Sequence, residues 1–408
     1  MRMSEALEQA APAKTGFFAV DRRIWAKLCV PGMMNEAVAY IVQARGTGRD
    51  NRTTTWSVES IERYTGISRH RAAAAVKNLQ TKEFTRLLRG GTKPKYDLVP
   101  FSELPGADPR PALSGPESLA VDWVRRGIGL GRNDQRHARN AAKKGWLLEH
   151  QGEFAIAPGP EIKPDLIWLP NELVDGATGE TPPLELVRQT QDPMTLRLII
   201  DMYHAQNLRE DGGVSRRFTW KSYDRIKIGA HAQFTVWGFH GGSTDWVSWE
   251  NDLTLPHRRE KLTKEEIAAG ENPGVDFFRR MTRLRDLGLL EFVPHLFESA
   301  EDSGEIIHPL RMGDSDSIED RLGRAAHEAG SALITEGQYD WAVEKGIHQL
   351  VPVPRHIANV QMIGIARLRY RPHTRMTTAW WADLKTNAEK HLARYAVIAG
   401  RQTTRVAV

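Results

Sequence analysis

Only three residues, Gly66-Ile67-Ser68, separate two stretches of helical periodicity, and no other feature restricts the fold as much. Upstream, Ser57 caps VESIERYTG, which turns Val58, Ile61 and Tyr64 inward. Gly66 stops it, because a left-handed cap has no room for a Cβ. Downstream, Ser68 caps RHRAAAAVKNLQ, whose Ala72, Ala75, Val76 and Leu79 share one face. The opposite face carries His70, Ala73, Ala74 and Lys77, flanked by Arg69, Arg71 and Asn78. Two helices joined this tightly must cross over a common core and leave the polar face of the second outside.

The flanking segments complete a pattern. Asp21 to Leu28 reads as a short helix with Ile24 and Leu28 on one side, broken by Pro31-Gly32. Asn35 then caps NEAVAYIVQARG, with Ala37, Val38, Ile41 and Val42 at helical spacing, and Thr53 to Trp56 is extended. After the helix pair, Phe84 to Arg89, the turn Gly90-Gly91 and Lys93 to Leu98 predict a β-hairpin with Arg86, Arg89, Lys93 and Lys95 around its tip. Over residues 17–100 this order resembles the winged-helix family of DNA-binding domains. The resemblance implies that Ser68, Arg69, His70, Arg71, Lys77 and Asn78 face double-stranded DNA from a major-groove helix. Small alanines would permit close approach, and Arg86, Arg89, Lys93 and Lys95 would form the basic wing.

The pattern recurs. QARGTGRDNRTTTWSVESI (43–61) matches HAQNLREDGGVSRRFTWKSYDRI (204–226), and DPMTLRLIIDMYHAQ parallels NEAVAYIVQAR. Asp276 to Leu287 then buries Phe277, Phe278, Met281 and Leu284 and exposes Arg279, Thr282 and Arg283. Gly288, LLEFVPHLFE and GEIIHPL follow as a second wing. This copy departs from the first in holding a long aromatic insertion, GAHAQFTVWGFHGGSTDWVSWE, before its last helix. Its Trp237, Trp246 and Trp249 read as core or interface residues. Between the copies, SLAVDWVRR, GIGLG, RNDQRHARNAAKK and WLLEHQGEFAIAP predict a further helix–turn–helix–hairpin with Arg132, Arg136, Arg139 and Lys143 in one stripe. In the tail, alternation from Gly364 places Arg367, Arg369 and Arg371 on one strand face, either against phosphates or guarding a sheet edge. A helix from Thr378 buries Trp381, Leu384 and Tyr395.

Charge follows the same division. Residues 1–100 hold 17 lysines and arginines against 9 acids, and residues 355–408 hold 10 against 2, whereas residues 161–310 hold 17 against 25. Basic ends around an acidic middle point to polyanion contact at particular places. The acidic copy points as much to dimerisation or a partner as to DNA. One cysteine, Cys29, excludes a disulfide framework and Cys-based zinc or iron–sulfur sites, and fits a reducing cytoplasm. No apolar run approaches a membrane span. Phosphate-loop, HExxH, GxSxG and His-hydrophobic-His patterns are absent, so neither enzyme chemistry, a metal nor a cofactor is expected.

The expectation is an α+β, mainly helical chain of tandem winged-helix units with small hairpin wings. Its divisions are a tail (1–16), a DNA-binding unit (17–100), a proline-rich linker (101–116), a helix–turn–helix–hairpin (117–160), a degenerate second winged helix (161–310), an acidic linker (311–320) and a basic C-terminal unit (321–408). Tandem winged helices with a degenerate second copy resemble bacterial plasmid and phage replication initiators, which implies site-specific binding without catalysis. Self-association or contact with host replication or transcription proteins would accompany it. A transcriptional regulator of a mobile element, or a scaffold without DNA, are the other readings.

Overall fold

The computed structural model describes residues 16–403 except 108, 109, 112, 160, 161, 260, 273, 300, 302, 303, 312 and 372–374. Strand β1 (Phe17–Asp21) leads into helix α1 (Arg22–Leu28), whose first turn is capped by the Asp21 carboxylate accepting from the Arg23 N–H at 2.9 Å. Helix α2 (Met34–Arg45) is the pillar of the unit, buried from Ala37 to Ala44. It starts before the expected Asn35 cap, with Met33 in that place. Strand β2 (Thr53–Thr54), helix α3 (Val58–Thr65), helix α4 (Arg69–Thr81) and the hairpin β3 (Thr85–Arg89) and β4 (Lys95–Leu98) come next. The three strands pair in the order β2-β4-β3. Ala72, Ala75, Val76 and Leu79 are buried, as their spacing predicted.

Helices α5 (Gly115–Arg125) and α6 (Arg132–Lys143) and the hairpin β5 (Leu147–His150) and β6 (Glu153–Ile156) close on a small core of their own, built from Ala120, Val121, Ala138, Ala141 and Leu147. Strand β7 (Leu166–Pro170), helices α7 (Glu172–Asp175), α8 (Pro183–Gln189) and α9 (Pro193–His204), and the short strands β8 (Gln206–Asn207) and β9 (Gly213–Val214) begin the stretch whose sequence reads as a second copy. Strand β7 lies antiparallel to β1, with Ala19 opposite Trp168. Helix α2 packs on β1 as α9 packs on β7. The two copies therefore meet at this ribbon and share one continuous core, from Phe18 through Leu169 to Leu290. The linker drawn at 101–116 is part of it, since Leu104 and Ala107 are buried there.

Beyond β9 the chain departs from the expectation. Strands β10 (Thr219–His231) and β11 (Phe234–Val247) form a long hairpin turning at Ala232, whose φ is 49°. After the short helix α10 (Lys264–Ala268) and helix α11 (Val275–Asp286) come β12 (Leu290–Phe297) and β13 (Ile306–Pro309). Helices α12 (Ile318–Ser331) and α13 (Glu336–Glu344), strands β14 (Ile347–Pro354) and β15 (Gln361–Leu368), and helix α14 (Arg375–Thr403) complete the chain. Six of these strands join in one antiparallel sheet of order β13-β12-β15-β10-β11-β14. At 41% helix and 24% strand the chain is α+β but not mainly helical. The supposed insertion is sheet because its aromatic and β-branched residues bury both faces, Phe239 against helices α12 and α14 and Val236 against Ala342 of α13.

The second copy also closes differently. GEIIHPL does pair with β12 as β13, but on its outer edge. The place that β4 holds in the first copy is taken by β15, which pairs with β12 from Leu290↔Leu368 to Phe297↔Gln361. Strand β9 lies against it so closely that a Cβ on Gly213 would collide with the Ala366 carbonyl oxygen. In the sheet itself β15 lies between β12 and β10, so the strand that fills this place comes from far along the chain.

Candidate nucleic-acid interface

Helix α4 is held from two sides. Its apolar stripe enters the shared core, and the turn before it is clamped by the second copy. Gly66 adopts φ 61°, and a Cβ there would come within 2.9 Å of the Glu185 carboxylate. The Arg188 Nε donates to the Thr65 carbonyl at 2.6 Å, satisfying a backbone acceptor that the end of α3 leaves open. Sequence reasoning missed Arg188, and nothing local could reveal it, since its partner lies 123 residues away.

Ser68, Arg69, His70, Arg71, Ala73, Ala74, Lys77 and Asn78 are all exposed. Ser68 is the N-cap, though its hydroxyl makes no cap bond. Among the described residues no carboxylate pairs with Arg69, His70, Arg71 or Lys77, so these side chains are directed at solvent. Asn78 is a partial correction. Its amide donates to Glu36 on α2 at 2.7 Å, so it braces the helix before it can read anything.

The wing divides in the same way. Arg86 pairs with Glu103 at 2.6 Å, and Glu103 also receives Arg52 at 2.9 Å, so Arg86 belongs to a surface ion-pair network. Arg89 donates to the Lys93 carbonyl at 3.3 Å, which ties the hairpin tip and leaves its charge unneutralised. Lys93 is exposed and Lys95 half-buried. On α6, Arg132, Arg136, Arg139 and Lys143 all face solvent, and among the described residues Arg139 alone of the four has an ion pair, with Glu149 at 3.2 Å.

The remaining arginines are corrections. On α11, Arg279 pairs with Asp276 at 3.0 Å, while Arg280 and Arg283 reach Asp192 at 3.0 and 3.5 Å. Burial pushes the Asp192 carboxyl upward, but the Thr195 hydroxyl and the Arg280 guanidinium outweigh it and hold the group below the ordinary carboxylate range. Helix α11 thus commits three of its four arginines internally, and the fourth, Arg285, is exposed.

In the tail, Arg367 is buried, bonded to Glu319 and facing the His295 ring at 2.7 Å. Glu291, Arg311, Asp320 and Arg371 extend this into a charge-balanced cluster at the seam of β12, β15 and α12, with Arg311 3.2 Å from Glu291 and 3.7 Å from Asp320. Arg371 is buried and Arg369 pairs with Glu180 at 2.5 Å. Strand β15 is central, so Arg367 guards no sheet edge, and Arg369 and Arg371 lie just beyond the strand. The expected alternation does not extend over all three, because β15 ends at Leu368 and is buried on both faces, and the partners of Arg367 lie in segments that read as a linker and a wing. Leu384 and Tyr395 are buried as expected, and the Trp381 side chain lies outside the described residues.

Of the three tryptophans, Trp246 is exposed, stacked on Trp220, while Trp237 and Trp249 are half-buried. Cys29 is buried with its Sγ 3.1 Å from the Pro193 carbonyl. Among the described residues no three His, Cys, Asp or Glu side chains gather as a metal site, and no helix is long and apolar enough to cross a membrane. No protein-family model, curated protein or solved structure matches the chain.

Proposed function

We propose that the chain is a sequence-specific double-stranded-DNA-binding protein built from tandem winged helices, similar in plan to plasmid and phage replication initiators and without catalysis of its own. One observation carries the reading. Helix α4 presents Arg69, His70, Arg71 and Lys77 around exposed Ala73 and Ala74, and no acid among the described residues neutralises them after folding. A major-groove helix needs small residues for approach and uncommitted donors for base edges and phosphates. The wing cations Arg89, Lys93 and Lys95 and the α6 stripe add phosphate contacts on the same principle. Nucleoid association in the cell follows from this reading.

The test is a selection of duplexes from a random-sequence pool with the full chain, followed by gel shift against competitor DNA. Recovery of a common sequence, bound at least about 1000-fold more tightly than random duplex at physiological salt, is the expected result. Enrichment of no sequence overturns the proposal. Placing the recovered site and the coding sequence on a plasmid without another origin separates replication from promoter control. Plasmid maintenance is expected, and repression of a reporter without maintenance selects the regulator.

A further inference from the structure

The wing holds two side chains that its own fold does not use. Leu87 and Leu88 are 50% and 54% exposed, side by side on an edge strand. Single exposed leucines are ordinary, but the register here is not. Leu87 faces Tyr96 and Arg89 faces Lys95, so Leu88 has no residue opposite it and forms a β-bulge. Bulges re-aim a side chain away from the pleat. The hairpin's own charged side chains are of one sign, and only Arg86 among them is tied to an acid, Glu103. From Phe84 to Tyr96 there are four cations, Arg86, Arg89, Lys93 and Lys95, and no acid, and the turn is two glycines.

The other hairpins set this one apart. Strand β12, the counterpart of β3 in the second copy, is paired on both sides. Strand β5 exposes Leu148, but its neighbour Glu149 is anionic and tied to Arg139. Of these three, the first wing alone surrounds exposed leucine with positive charge. That combination repels an identical wing on a second copy and suits a polyanion with an apolar interior.

We infer that Leu88, backed by Leu87, is an apolar wedge that enters the minor groove and partly unstacks one base step, so that the protein bends its DNA. The inference rests on the DNA-binding reading above and specifies how the wing engages. Arg89, Lys93 and Lys95 would hold the flanking phosphates while the leucine separates the bases, the arrangement by which inserted side chains kink a duplex. Pyrimidine–purine steps yield most easily, so the wing would select such a step without a hydrogen bond to it.

The probe is a duplex recovered by the full chain from a random-sequence pool, end-labelled for energy transfer and carrying 2-aminopurine at successive steps beside the site. Wild type is expected to shorten the end-to-end distance and to raise 2-aminopurine emission at one step. Leu88→Ser should abolish both signals while weakening binding by no more than about tenfold, and Leu88→Met should restore them. Lys93→Ala should weaken binding and leave the bend unchanged. A tightly bound, unbent and fully stacked duplex overturns the wedge and leaves the DNA-binding reading standing. Failure to recover any duplex overturns both. A change of oligomeric state in Leu88→Ser without loss of bending assigns the leucines to protein contact and also overturns it.

Discussion

Helices α4 and α11 are set in corresponding places by the repeated sequence pattern, and both carry several cations, yet α11 commits most of its own inside the fold and α4 does not. In the first copy Arg69, Arg71 and Lys77 face no carboxylate among the described residues. In the second, Asp192 receives Arg280 and Arg283, and Asp276 receives Arg279. Counting basic residues therefore says little about binding. What matters is how many remain unpaired once the chain is folded, because each internal pair has already replaced the counterion that a phosphate would displace.

The largest effect should come from the arginine that most resembles a DNA contact in sequence and least in structure. Arg367→Gln leaves Glu319 buried without its partner and should destabilise the chain by about 3–5 kcal/mol. The salt dependence of DNA binding by the remaining folded protein should not change. A shallower salt slope would return Arg367 to the interface.

The central contrast is tested by paired substitutions. Arg280→Gln breaks a half-buried charged hydrogen bond and should cost roughly 1.5–3 kcal/mol of stability, with DNA affinity intact. Arg71→Ala should do the reverse, losing roughly 1–3 kcal/mol of binding to the selected sequence with an unchanged melting temperature. Equal behaviour of the two variants in both measurements would abolish the distinction between the copies.

A further test is a pH dependence centred on the sheet that closes the second copy. His308 donates from Nδ1 to the Pro309 carbonyl and accepts the Tyr395 hydroxyl at 2.7 Å, and burial pushes it down to about 3. Burial and the Arg367 charge likewise hold His295 well below its ordinary value. Unfolding lets both take up protons below about pH 6.5. Stability is thus complete above that value and falls by up to about 1.4 kcal/mol per pH unit per histidine on acidification. Hydrogen exchange at pH 7 and pH 5 should show β13 and α14 loosening before α2. Uniform loosening would argue that the two copies open only together.

The first copy was legible because its information is local. Three residues between α3 and α4, a glycine at a left-handed cap and alanines at helical spacing restrict the chain within a short window. The second copy was half legible. Its first helix, α11 and the β12–β13 pair were visible, but the hairpin β10–β11 reads as an insertion, because glycines, histidines and an aspartate interrupt its alternation. The pairing of β12 with β15 could not be read at all. Strand register carries no short-range mark, and the arginine that looks exposed on β15 meets Glu319, which lies in a tract that reads as an acidic linker. The same distance hid Arg188, whose role is set by the end of a helix in the other copy.

The late closure of the second copy has a consequence for synthesis on the ribosome. Residues 298–360 lie between the end of β12 and the start of β15. At translation rates of about 5–20 residues per second, they take about 3–13 s to appear. Throughout that interval the inner edge of β12 has left the ribosome and lacks its partner, while the first copy, with β7 already made, has all its strands. An open strand edge is a template for mispairing. A nascent chain stalled before residue 361 would thus present a finished α4 beside an unsealed sheet, a substrate for chaperones or proteases that the completed protein never offers.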